Sequence, residues 1–221
     1  MTMNSPESLQ ELFRVSQEVE GAPSAVQTAE LMREIGLKCI SFNGIPRTIN
    51  CLGAFREALP EDVRNAMSTE PSRQIDSSNA ADVLSRGRNL WNSIYQPFQD
   101  KLVRKLAQSH PNLPVVILEA HYGSLLADPP QNMPENTGRV LTSIAAIACL
   151  RAQTGVGPQV ISHIFGLRKA FEDGTAETDV EGGKWLASDE GNQWILNTVD
   201  DIVYAIGEGR GSTFAPGLSK L

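Results

Sequence analysis

Apolar residues recur along this chain at three- and four-residue steps, the spacing of one helix face, and no stretch sustains the strict apolar/polar alternation of a half-buried strand. The pattern predicts an all-α fold. Over 6–20, Leu9, Leu12, Phe13 and Val19 share a face behind Ser5 as cap and Pro6 as first helical residue. Ser24 caps a second helix through Val26, Leu31, Ile35 and Ile40, which Gly44 ends; a third runs from Pro46 to about Ala58, with Pro60 at its exit. The polar stretch 68–78 reads as a loop. A long helix over about 79–110 follows, carrying Val83, Leu90, Trp91, Ile94 and Leu102, with Pro97 as a kink. After Pro111 and Pro114 come an apolar helix, VVILEAHYGSLLA, a loop, and the most apolar helix, about 138–154. Pro158 opens another to about Phe171, a Gly-rich acidic loop follows, and a last helix spans about 188–206.

Two of these segments align without a gap. IPRTINCLGAFREA at 45–58 and GPQVISHIFGLRKA at 157–170 match at Pro46/Pro158, Ile49/Ile161, Arg56/Arg168 and Ala58/Ala170, a constant offset of 112 residues. Each follows an apolar helix and a short Gly-containing turn, with Pro where a missing N–H is harmless. The expected organisation is a single domain over 1–207 made of two related helix-turn-helix halves, about 6–75 and about 112–207, joined by the helix 79–110 and followed by a flexible tail, 208–221. At the same offset Cys51 corresponds to His163, each just over one turn inside a helix whose N–H dipoles point toward it.

Composition narrows the function classes. With 41% hydrophobic and 20% charged residues the chain is expected to fold, and a net charge of −7 argues against a nucleic-acid partner, whose phosphates are held by clustered Lys and Arg. No apolar run approaches a bilayer span, and MTMNSPESLQELF lacks the form of a secretory signal, so neither membrane insertion nor secretion is expected. Cys39, Cys51 and Cys149 are too widely spaced for a C-x-x-C metal or redox motif and read as reduced thiols packed as small hydrophobes. The terminal Ser219-Lys220-Leu221 is the tripeptide read by the peroxisomal import receptor, and the Gly- and Pro-bearing segment before it suits an accessible tail. The expected location is the peroxisomal matrix.

The apolar helix, short turn and helix bearing S-H-I-F-G-L resemble the core motif of the carboxymuconolactone decarboxylase and alkylhydroperoxidase D-like superfamily. Leu-Trp-x-x-Ile-Tyr at 90–95, Tyr122-Gly123 and Gly157-Pro158 resemble its two-repeat fungal branch, and Ser219-Lys220-Leu221 a peroxisomal member. The resemblance implies an AhpD-like helical fold and a homo-oligomer, a dimer or trimer. In the family's peroxidases a Cys-x-x-Cys pair precedes the motif histidine. Those positions are Val156 and Gln159 here, so two-cysteine peroxide reduction in this half is unsupported. A cofactor-free decarboxylase or isomerase acting on a small organic acid or lactone needs only a placed proton donor and acceptor, with no metal.

His163 is the candidate general acid/base, or a structural histidine with satisfied hydrogen bonds. Gln159, one turn earlier, could orient substrate or donate to an oxyanion, whereas Ser162 points elsewhere. Glu119 and Tyr122, three apart, are expected to share a face and relay protons, with His121 turned away; alternatively Glu119 is solvated and Tyr122 is core. Arg47, four residues before Cys51, could hold a thiolate there and bind substrate; Cys51 is otherwise an inert buried thiol. Trp91 is a candidate substrate contact or a core anchor, as Trp185 and Trp194 are. Three functions follow: the decarboxylase or isomerase, an antioxidant hydroperoxide-reducing protein using Cys51, and a non-catalytic binding protein that retains the fold.

Overall fold

In a computed structural model, which describes residues 1–129, 136–176 and 180–210, the described residues form helices and no strand. Ser219, Lys220 and Leu221 lie outside the described residues. The first half comprises α1 (Pro6–Ser16), α2 (Ala25–Lys38), the single turn α3 (Ile40–Asn43), α4 (Ile45–Ala58) and α5 (Glu61–Ala66). Ser5 caps α1 through the Ser8 amide, and Ser24 and Gln27 form a reciprocal capping box on α2. The break between α2 and α3 at Cys39 and the short α5 lie inside or beyond the helices that the periodicity predicts.

The expected long helix over 79–110 is two helices, α6 (Ala80–Tyr95) and α7 (Gln99–Ser109), with Pro97 between them. A proline inside a helix removes a hydrogen-bond donor and collides with the preceding turn, which here ends the helix instead of bending it. After α8 (Leu113–Val116) the chain enters a π-helix, Ile117–Leu126, whose end is closed by the Ala127 amide donating to the Tyr122 carbonyl at 2.9 Å. The second half is α9 (Gly138–Gln153), α10 (Gly157–Glu172), α11 (Gly183–Leu186) and α12 (Asp189–Ile206).

α10 packs along α9 and across α6, and α6 also packs along the π-helix. Three apolar clusters result. One, around Val140, Ile147, Leu167 and Ile195, fills the second half. Another, around Phe13, Ala29, Phe55 and Val63, fills the first. The third joins Trp91, Ile94, Leu118, Tyr122 and Leu126 between α6 and the π-helix. Phe42, from α3, touches both the second-half cluster and the one between α6 and the π-helix.

The offset of 112 residues carries α4 onto α10, and the matched positions share their environments only in part, since Ala58 is exposed where Ala170 is fully buried. Pro46 and Pro158 are exposed, Ile49 and Ile161 are exposed, and Cys51 and His163 are buried. Both turns before these helices use left-handed backbone, at Gly44 (φ 82°) in one half and at Thr154 (φ 65°) and Gly155 (φ 72°) in the other. No helix among the described residues is long and apolar enough to cross a membrane.

The halves are tied by a buried polar cluster. Lys38, at the end of α2, is 1% exposed, and its ammonium meets Asp128 Oδ1 at 2.5 Å, Thr142 Oγ1 at 3.1 Å and Thr137 Oγ1. Asp128 Oδ2 accepts from the Gly138 amide at 2.6 Å, so the same carboxylate caps α9. Burial lowers the Lys38 pKa, and the Asp128 charge opposes that shift. Beside it Arg73 pairs with Glu34 and donates to the Ser124 and Ala127 carbonyls at 3.2 and 2.8 Å.

Candidate functional site

His163 sits in α10 where the two halves and α6 meet. Its helix is started by Pro158, and the first turn stands clear of the neighbouring layer, so that Pro158 and Gln159 are exposed while Val160 and His163 face inward. The ring is 6% exposed. Phe42, from the first half, meets it edge-on with centroids 6.2 Å apart, and Tyr95, from the last turn of α6, does so at 6.2 Å and 71°. Trp91 stacks obliquely on Tyr95 at 4.2 Å and meets Tyr122 at 5.1 Å, and the Tyr122 hydroxyl donates to the Tyr95 hydroxyl at 3.1 Å.

Two buried nitrogens in this aromatic cluster, His163 Nδ1 and Trp91 Nε1, have no hydrogen-bond partner. Buried polar atoms are nearly always paired, so an unpaired one is a place where a ligand atom or water can be accepted. Burial pushes the His163 pKa down to about 4, and the nearby Arg139 charge adds to the shift. The imidazole is therefore neutral at pH 7. Burial also raises both tyrosines, Tyr122 well above the ordinary phenol value, so their hydroxyls remain donors. Arg139 lies in α9, 6% exposed, with Nε on Ser93 Oγ at 2.9 Å, Nη2 on the Gly166 carbonyl at 2.6 Å and Nη1 on Ser143 Oγ.

The depressed pKa has a measurable consequence for stability. An unfolded histidine takes its proton near pH 6.5, whereas the folded ring resists until about pH 4, so between those values the unfolded chain binds the extra proton. Stability is complete above pH 6.5 and falls by about 3 kcal/mol as pH drops to 4, since each pH step of one across that gap costs ~1.4 kcal/mol. Urea unfolding of the protein and of His163→Gln across this range should show a steeper acid loss in the former. Parallel curves would mean that the ring titrates normally.

Tyr95 also borders a cleft of about 630 Å³, shared by Ile94, Pro97, Phe98, Leu102 and Phe165, with Lys101, Lys105 and Lys169 among its cations. That volume is in the range of small-molecule sites. Lysines around an apolar cleft favour an organic anion over a neutral ligand, although Lys169 already donates to the Gln96 carbonyl and Glu172 also lines the cleft.

The structure brings His163 and Tyr122 into one aromatic cluster with Trp91, a buried member at 2% exposure. Gln159 shares the side of α10 but stays at the solvent rim. Glu119 is exposed while Tyr122 is buried, so the two do not share a face, and the alternative of a solvated Glu119 and a core Tyr122 is the one observed. The reason is the π-helix: its i→i+5 bonds widen the turn, so a three-residue step no longer returns to the same side. His121 lies elsewhere, its Nδ1 3.0 Å from Ser41 Oγ. Cys51 is fully buried, and the Arg47 guanidinium engages the Thr2 carbonyl. Tyr95, Phe42 and Arg139 are site residues that the sequence reading misses. Arg139 carries a signal, as a cation at the start of the most apolar helix; Phe42 carries none, because only packing brings it from the first half to the second half's histidine.

No known family profile matches the chain, and no solved structure does. The chain is similar to a Saccharomyces cerevisiae protein named Peroxisomal protein 2, with 28% identity over 180 residues. The alignment covers 73% of this chain and 60% of the yeast protein, so the chain spans well under the full length of that relative.

Proposed function

We propose that this is a peroxisomal matrix protein of carboxymuconolactone decarboxylase-like type, in which His163 performs cofactor-free proton transfer on a small organic acid or lactone. The observation that carries the chemistry is a buried, neutral imidazole with an unpartnered Nδ1, surrounded by aromatic rings and near the Arg139 charge. By itself the ring is a weak base. A substrate carboxylate brought alongside offsets the desolvation and the Arg139 charge, raises the ring's pKa toward neutrality, and so couples binding to proton uptake. The Tyr95 hydroxyl, which accepts from Tyr122 and keeps its own proton, supplies a donor for a developing enolate oxygen. The Lys-bearing cleft beside Tyr95 suits the approach of an anion.

Location is supported by the Ser219-Lys220-Leu221 terminus, which the import receptor would read, and by the name of the yeast relative. Assembly into a homo-oligomer, a dimer or trimer, belongs to this reading through the family resemblance.

The test incubates the purified protein with carboxylated lactones and β-oxo acids, following carbon dioxide release and exchange of substrate hydrogen into deuterium oxide. His163→Ala is expected to lose at least ~100-fold of the rate with helical content unchanged, the usual size of a general acid/base contribution. Equal rates in the two proteins reject the role, and no exchange with any probe favours a binding protein that merely retains the fold. A fluorescent fusion with a free C-terminus should be punctate in cells and become diffuse when Leu221 is deleted. A distribution indifferent to that deletion rejects the address.

A further inference from the structure

Cys39 and Cys149 stand 110 residues apart in sequence, one at the α2/α3 junction of the first half and the other near the end of α9, yet their sulfurs are 3.5 Å apart. We propose that this pair is an oxidisable dithiol that closes to a disulfide under hydrogen peroxide and covalently pins the two halves together. Both thiols are reduced in the structure, 3% and 7% exposed. A disulfide holds its sulfurs about 2.05 Å apart, so these two must close by roughly 1.5 Å to join.

The surroundings select the attacking sulfur. Asn43 Nδ2 donates to Cys149 Sγ at 3.5 Å, and the buried Thr2 hydroxyl holds that amide in place by donating to Asn43 Oδ1 at 3.0 Å. The Cys39 thiol, then Thr2 and Asn43, hold Cys149 below its ordinary pKa, while Cys39 is raised well above its own. Cys149 is thus the thiolate that meets peroxide. Its sulfur attacks one peroxide oxygen, the O–O bond breaks, and the departing hydroxide takes a proton to leave as water, giving a sulfenic acid. The Cys39 sulfur then attacks the Cys149 sulfur, an S–S bond forms, and a second water leaves. Two electrons pass from the dithiol to the peroxide, which is reduced to water. Cys51 is close enough for its charge to influence Cys39, which makes it the competing thiol that the test must exclude.

The dithiol chemistry does not depend on His163. The full chain, reduced and freed of reductant, is exposed to hydrogen peroxide, blocked with iodoacetamide, digested without reduction and mapped by mass spectrometry. The expected product is a linked pair of peptides containing Cys39 and Cys149, kept in Cys51→Ala and absent in Cys149→Ala. A bridge through Cys51, a link between chains, or thiols left intact by peroxide that oxidises free glutathione overturns the proposal. Because the bridge closes a 110-residue loop, the oxidised chain should melt about 10 °C higher and return on reduction. An oxidised chain that melts no higher shows that the halves are not pinned.

Discussion

Replacing Asp128 by Ala is expected to destabilise the protein by about 3–5 kcal/mol, among the largest effects of any single substitution, because it takes from the buried Lys38 ammonium the carboxylate to which it is hydrogen-bonded. Taking an ammonium out of water is tolerable here only because one carboxylate and two threonine hydroxyls replace its hydration. The threonines can solvate the charge but cannot neutralise it. The decisive comparison is the double variant Lys38→Met/Asp128→Ala. With both charges gone the desolvation penalty disappears, and most of the loss should be recovered, leaving about 1 kcal/mol for the missing cap on the Gly138 amide. Urea midpoints of the protein, the single variant and the double variant measure both effects. A double variant no more stable than Asp128→Ala would show that the pair's worth is not in its charges.

Gly87→Ala tests the other tight junction. Helix propensity alone predicts a gain of about 1 kcal/mol when alanine replaces glycine inside a helix. At this position a Cβ would stand 2.4 Å from the Gly123 nitrogen and 2.5 Å from its Cα, both backbone atoms of the π-helix. Backbone cannot swing aside as a side chain can, so α6 and the π-helix must separate, loosening Trp91 from Tyr122 and the cluster around His163. A net loss of about 3 kcal/mol is expected, opposite in sign to the propensity. Gly53 in α4 is the control, since a Cβ there meets nothing within 4 Å and alanine should stabilise by about 0.5–1 kcal/mol. Thermal melts of the two variants should move in opposite directions. If both rise, the contact between Gly87 and Gly123 is slack.

Local rules and distant packing divide the site in the same way. The histidine, its helix and the proline that opens it are legible in order along the chain, because a 3.6-residue period and a proline at the first turn act locally. Its neighbours are not. Tyr95 ends the Leu-Trp-x-x-Ile-Tyr segment with nothing in the spacing to give it a role, and Phe42 sits more than half the chain away from His163. Gln159 lies on the expected side of α10, but the end of the packed layer falls between it and His163, and that edge is a property of neighbouring helices. Glu119 fails for a different reason. Its pairing with Tyr122 assumes an α-helical turn, and the π-helix over 117–126 changes the angular step.

By itself, then, the amino-acid order determined the helical class, the start of nearly every long helix, the likeness of the segments 45–58 and 157–170, and the terminal tripeptide. These are all written in spacings of a few residues, or in the similarity of one segment to another. Tertiary structure decided which polar groups lost their water. It brought Lys38 to Asp128 and Cys39 to Cys149, left His163 Nδ1 unpaired, and sent Glu119 to the surface. Desolvation depends on what packs against a group from distant parts of the chain, and no local period records that.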